Sequence, residues 1–321
     1  MKRRKVLSGA LSLMSASPLV QAQALRPAGK IGYLHPGGTT ASGSGQILRP
    51  AWQRLGYVEG ETVLLRFADG DMGRLPQLAA ELIALKVGVL IVVGPQALRA
   101  ASQATKTLAI VAIDLGTDPL RAGLAASFAR PGGNVTGLFM DQPALAGKWL
   151  ELLRAAAPDI TRVVLLWDPG TGRDQLEVAQ AAAQGKRLET VVIEFGAVTN
   201  FDDALRSFGS QQRTGVVVLS SPNFTFRKGQ FGSATQKYRL PTIAYLKNDS
   251  ADVLMTYGPN RDIYFPRAVV MADKILRGEK PGDLPIEGPD HFELVINLKI
   301  ARALGLTIPN TLRVRADEVI E

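Results

Sequence analysis

Short apolar runs alternate with longer segments of helical spacing along this chain, and that alternation restricts its fold more than any other feature. Residues 31–34, 63–67, 87–93 and 109–113 read as strands, with helices at 46–55, 75–85 and 97–105 between them. Strands of four to seven apolar residues have no polar face to turn to water. They belong in a parallel sheet covered by helices on both sides. A second series follows 134–139, with helices at 145–157, 175–184 and 201–208 and strands at 163–167, 190–195, 216–219, 242–245 and 253–257. No sequence repeat relates the two series, so the duplication is architectural. The pattern predicts an α/β protein of two parallel-sheet lobes, and 321 residues at roughly 150 per domain agree. A helix at 260–277 with Ile263, Ala268, Met271 and Ile275 inward, a strand at 292–296 and a helix at 298–304 complete the chain. The pattern alone does not assign these last pieces to a lobe.

The amino terminus reads as an address rather than as fold. Lys2, Arg3, Arg4 and Lys5 precede a short, mostly apolar stretch at 6–20, and Val20-Gln21-Ala22 and Ala22-Gln23-Ala24 both offer small-x-small cleavage sequences. Residues 1–24 are therefore expected to be a signal peptide. The stretch is shorter than the roughly 20 apolar residues a spanning helix needs. Arg3-Arg4 ahead of Val6-Leu7 also admits twin-arginine export, with the general Sec route the plainer reading of a basic n-region. The four basic residues account for half of the +8 net charge: a chain starting after Ala24 keeps 33 of 37 Lys and Arg against 29 Asp and Glu. What remains is dispersed, without a basic stripe interleaved with aromatics, so no nucleic-acid partner is expected. No later run is apolar for 18 residues, so no direct membrane insertion is expected after cleavage, and the expected compartment is the periplasm.

Composition excludes several chemistries. With no Cys there is no disulfide framework, thiolate nucleophile or lipid-anchored cysteine, and His35 and His291 are too few for a multi-histidine metal site. No cofactor or metal is expected.

In open α/β sheets ligands lie beyond the carboxyl ends of the strands, where the informative residues follow each apolar run. In the first series these are His35 with Gly38 and Thr39, Gly94 to Gln96, and Asp114 to Pro119; in the second they are Asp168, then Ser220, Ser221 and Asn223, and Tyr245. Such loops offer backbone donors, hydroxyls, amides and carboxylates, but almost no catalytic base. Gly38, Thr39, Gly94, Gln96, Asp114, Asp118, Asp168, Ser220, Ser221, Asn223 and Tyr245 are the candidate ligand-binding residues, and no catalytic residue is nominated. Gly and Pro also serve simply to turn the chain. Gly43-Ser44-Gly45 lacks both Gly-x-Gly-x-x-Gly spacing and a Gly-Lys-Ser/Thr end. Asp114 and Asp118 fit a helix cap or a ligand ammonium better than an acid/base pair, since no nucleophile accompanies them. Trp52 and Trp149 sit at core spacing, Phe224 and Phe226 fit either a ligand wall or a packed helix, and Tyr245 closes a strand at the cleft edge.

Several blocks resemble one family over nearly the whole mature chain. They include Leu55-Gly56-Tyr57-Val58-Glu59-Gly60, Arg74-Leu75-Pro76-Gln77-Leu78-Ala79-Ala80-Glu81-Leu82, Ala129-Arg130-Pro131-Gly132-Gly133-Asn134-Val135-Thr136-Gly137, Tyr257-Gly258-Pro259-Asn260 and Phe292-Glu293-Leu294-Val295-Ile296-Asn297-Leu298. The closing Ala303-Leu304-Gly305-Leu306-Thr307-Ile308-Pro309 and Arg315-Ala316-Asp317-Glu318-Val319-Ile320 match as well. The chain resembles the ABC transporter substrate-binding proteins, a family that includes tryptophan- and tyrosine-binding members. Asp252-Val253 stands where many relatives carry Gly-Gly, so ligand identity does not carry over. The resemblance implies a type I periplasmic binding protein of two Rossmann-like lobes and a hinge, with lobes at 25–138 plus 258–285 and at 139–257 plus 286–321. The function it implies is closure on a small polar ligand, an amino acid or related compound, and presentation to a membrane permease. An exported α/β enzyme using Asp114 or Asp118, and a ligand-sensing receptor subunit, are the alternatives.

Overall fold

The computed structural model describes residues 27–38, 44–113, 118–140, 143–171, 173–198, 200–209, 213–221 and 224–321; the leader read at 1–24 lies outside the described residues. The first series forms β1 (Ile31–His35), α1 (Ser44–Arg54), β2 (Val63–Phe67), α2 (Leu75–Ala84), β3 (Val89–Val93), α3 (Gly94–Ala104), β4 (Ala109–Ile113) and β5 (Val135–Leu138). Its strands make one parallel sheet in the order β2-β1-β3-β4-β5. The second series forms α4 (Leu145–Ala156), β6 (Arg162–Trp167), α5 (Asp174–Gly185), β7 (Glu189–Glu194), α6 (Phe201–Gly209), β8 (Thr214–Val218), α7 (Phe224–Lys237), β9 (Thr242–Ala244) and β10 (Met255–Pro259). These strands repeat the same winding, as β7-β6-β8-β9-β10. Then come α8 (Arg261–Leu276), β11 (Phe292–Asn297), α9 (Leu298–Leu304), α10 (Asn310–Arg313) and β12 (Glu318–Ile320). β11 adds to β10 antiparallel, and β12 adds to β11 parallel, closing a seven-stranded sheet.

The side-chain period of two sorts each strand between two cores. Val89, Ile91 and Val93 face one cluster and Leu90 and Val92 another; Val163, Leu165 and Trp167 likewise part from Val164 and Leu166. The cluster holding α1, α4, α5 and α8 runs from one sheet to the other, whereas α2 with α3, and α6 with α7, cover the outer faces separately. α8 lies on β3, β4 and β5 although it follows β10 in the chain. Its buried side is Tyr264, Phe265, Ala268, Val269, Met271 and Ala272. Ile263, expected inward, is 52% exposed. At about 100° per residue it stands a third of a turn off the face that Tyr264 begins.

Three segments join the sheets, and side chains fasten them. β5 leads toward α4, β10 turns into α8 at Asn260, and the segment before β11 returns alongside β5, where Phe139 N donates to Glu287 O at 2.8 Å and Glu287 N to Gly137 O at 2.9 Å. Trp149 Nε1 donates to Tyr257 O at 2.7 Å, Tyr245 Oη to Met140 O at 2.8 Å, and the two rings meet edge to face. Asn260 caps α8 by accepting from Asp262 N and donates to Glu293 Oε1 at 2.7 Å.

Candidate functional site

The strand ends of the two sheets face each other. β1 ends in His35, whose Nδ1 accepts from Gly37 N at 2.9 Å; the ring proton of the neutral imidazole therefore sits on Nε2. Burial, with Arg261 adding to it, pushes the imidazole down to about 4, so His35 stays a neutral donor through the physiological range. Gly38 follows on a loop tied to the end of β2 through Asp69 N to Gly37 O and Gly70 N to Pro36 O. Gly94 directly follows β3 and is already the first residue of α3, with φ +76°. The expected loop at Gly94 to Gln96 is thus the first turn of a helix, because Pro95 is preset for a helix start.

Across the cleft, Asp168 organises the end of β6. Its Oδ1 accepts from Gly170 N at 2.8 Å and its Oδ2 from Ser221 Oγ at 2.7 Å, joining the loops after β6 and β8. Gln175 Oε1 accepts from Ser220 N at 3.0 Å. Gln96 reaches over from the other lobe: a Cβ at position 170 would lie 2.1 Å from its Nε2. Arg99 Nη2 donates to Gly170 O at 3.1 Å, and Arg121 pairs with Asp174 at 2.7 Å. Gly94, Gln96, Asp168, Ser220 and Ser221 are therefore brought together, with the lobes in contact.

Two further candidates are engaged in other contacts. Asp118 Oδ1 accepts from Leu120 N at 2.8 Å and so caps the turn that carries Arg121. Tyr245 is buried, and its hydroxyl serves the carbonyl of Met140 between the lobes. Thr39, Asp114 and Asn223 lie outside the described residues.

Charged residues that the sequence reading passed over lie at the same junction. Arg261, the first residue of α8, and Asp249, which ends a helical turn at 247–249 after β9, are within electrostatic range of each other, and Arg261 also acts on His35. Asp249 is 2% exposed, with Lys228 Nζ 3.8 Å away. Gln96 Oε1, Gln175 Nε2, Asp249 Oδ1 and Arg261 Nε are all buried and make no hydrogen bond. Four such atoms around one cleft are costly unless a ligand meets them. A local signal for Arg261 existed: a cation at a helix N-terminus opposes the helix dipole.

Burial pushes the Asp249 carboxyl up to about 6; Lys228 and Arg261 pull it down, and Asp252 adds to the rise. The folded protein thus holds this proton more tightly than the unfolded chain, so ionised Asp249 costs stability above pH about 6. The cost fades as the pH falls toward the ordinary value of 3.8. Apo Asp249→Asn should melt above the wild type at pH 7.5, with the gap closing by pH 4.5. Calorimetry at the two pH values checks this, and a constant gap would contradict it.

The sequence profile of the ABC transporter substrate binding proteins matches residues 40–320. The chain belongs to that family. A tyrosine-binding protein of Clostridioides difficile strain R20291 is 24% identical over 270 residues, 82% of this chain and 77% of the relative. An ABC domain from Streptococcus pneumonia solved in complex with L-Trp has a TM-score of 0.80 at 22% identity. A conserved domain protein of Vibrio cholerae O1 biovar El Tor strain N16961 has a TM-score of 0.82 at 21% identity. Both alignments cover 91% of this chain and 99% of the other. The two lobes have the type I periplasmic binding protein architecture, as the resemblance implied. Among the described residues no helix is long and apolar enough to cross a membrane, and no group of three His, Cys, Asp or Glu is placed to hold a metal ion.

Proposed function

We propose that this substrate-binding protein is the exported, periplasmic component of an ABC importer, closing on a small polar ligand of the amino-acid class and presenting the closed form to a membrane permease. The observation that carries this reading is the set of buried, unbonded polar atoms at the strand ends of both lobes, Gln96 and Arg261 on one side and Gln175 and Asp249 on the other. Donors and acceptors are both present, which suits a ligand carrying both kinds of group. The ligand-contacting set comprises Gly38, Gly94, Gln96, Asp168, Ser220 and Ser221, with Thr39, Asp114 and Asn223 retained in it from the sequence reading. Asp118 and Tyr245 act beside them, through the turn of Arg121 and through the hinge. The lobes divide close to 138/139, 257/258 and 285/286, with Gly258 and Pro259 completing β10 in the second sheet and Ile286 and Glu287 staying with the first lobe. The tyrosine-binding relative and the L-Trp complex make aromatic amino acids the first compounds to try.

Thermal-shift titration against the twenty amino acids, with mass spectrometry of any copurifying molecule, tests the reading. A ligand at 100 times its dissociation constant stabilises by about 2.7 kcal/mol. At least one amino acid is expected to raise the midpoint by several degrees; no shift with any of them, and a copurifying molecule of another class, would overturn the ligand class.

A further inference from the structure

Arg261 is largely buried, yet no carboxylate of the described protein pairs with it directly. Its guanidinium packs over the Phe265 ring at 5.4 Å, burial depresses its pKa, and its Nε makes no hydrogen bond. Among the described residues it forms no ion pair, although Asp249 and Asp262 act on it from a distance. It also begins a 16-residue helix, where the dipole already disfavours a cation. A desolvated cation at a positive helix end is a strong attractor for an anion. Asp249 supplies an independent observation of the opposite sign. It is buried in the other lobe, its Oδ1 makes no hydrogen bond, and its pairing with Lys228 is loose, at 3.8 Å.

We infer that Arg261 holds the carboxylate of the bound ligand and Asp249 its ammonium group, so that a zwitterion is read by one charge on each side of the hinge. This rests on the amino-acid reading above. Arg261 enters from the helix that leaves β10 for the first sheet, and Asp249 from the turn after β9, so both charges move with the segments joining the lobes. A ligand lacking either pole leaves one buried charge uncompensated, which gives selectivity for zwitterions over plain acids and plain amines.

The test uses the full mature chain and four probes: L-tryptophan, L-tyrosine, L-tryptophanamide, which lacks the carboxylate, and indole-3-propionate, which lacks the ammonium. Calorimetric titration of the wild type should favour the two amino acids over both analogues. Arg261→Met, which keeps the stem over Phe265, should weaken the amino acids about 10- to 100-fold while changing the amide little. Asp249→Asn should weaken the amino acids while changing indole-3-propionate little. Amino-acid affinities unchanged in Arg261→Met, or an amide weakened as much as its parent, would overturn the assignment. A wild type that binds none of the four defeats the aromatic amino-acid reading by itself, and the anchor is then decided on the apo protein. Removing a buried charge that has no ion-pair partner should leave the melting temperature of Arg261→Met unchanged or raised, and a drop of several degrees would mark Arg261 as a structural cation and overturn the proposal.

Discussion

Gly137→Ala is expected to destabilise the protein by more than about 4 kcal/mol, the range reserved for a change the structure cannot absorb. Gly137 lies in β5 opposite Ala112 of β4, with φ +141°. An added Cβ would sit 2.1 Å from Ala112 O and 2.5 Å from Ala112 N. Both obstacles are backbone, so no rotamer change relieves them, and the strands would have to part where β5 enters the first crossing. Gly123→Ala is the control: its φ is also positive, at +67°, but nothing lies within 4 Å of the new Cβ. It should cost only about 1 kcal/mol. Urea denaturation of both variants checks the contrast; similar midpoints would show that β4 and β5 can separate at little cost.

Trp149→Ala should cost about 3 to 5 kcal/mol, the ordinary loss for a fully buried Trp. Trp149 is fully buried in the core cluster that runs from one sheet to the other. Its indole N–H also satisfies Tyr257 O, just before the chain turns into α8. Trp149→Phe separates the two contributions, since most of the apolar volume stays while the carbonyl loses its donor, a loss of about 1 to 3 kcal/mol. The expected order of chemical-denaturation midpoints is wild type, Phe, Ala. A Phe variant equal to wild type would assign the whole effect to packing and none to the clasp between crossings.

How far this molecule could be read in advance depends on whether a feature is local. β3 and β4 were legible because each is buried along its whole length and so appears as an unbroken apolar run, and β6 and β8 were legible from their buried runs Val163 to Trp167 and Val216 to Val218. β10 was expected at 253–257 and forms at Met255–Pro259: Val253 and Leu254 are buried in the preceding turn, and burial rather than pairing is what an apolar run reports. α7 left little trace, since Gly229, Gly232 and Ser233 interrupt its period around Phe224 and Phe231. β12 is a short, partly exposed edge strand of three residues. At the cleft, Gln96, Asp168 and Ser221 could be chosen because they follow strands directly. Tyr245 was correctly placed at a strand end, but its hydroxyl finds a carbonyl 105 residues away. Asp249 and Arg261 are charged residues in a turn and at a helix start, which composition alone assigns to solvent. Their burial arises only when three segments from distant parts of the sequence meet.

The placement of α8 sets an order of events during biosynthesis. A polypeptide emerging amino terminus first delivers β1 to β5 early, yet the face carrying Val89, Ile91, Val111 and Ile113 waits for a helix that begins at Arg261, after all of β6 to β10. The lobe whose synthesis starts first is therefore the last to be completed: α1 is in place early on its inner side, but β3, β4 and β5 lack α8 there until most of the chain has been made. Such late completion defers full compaction of the first lobe until nearly all of the polypeptide is available to it.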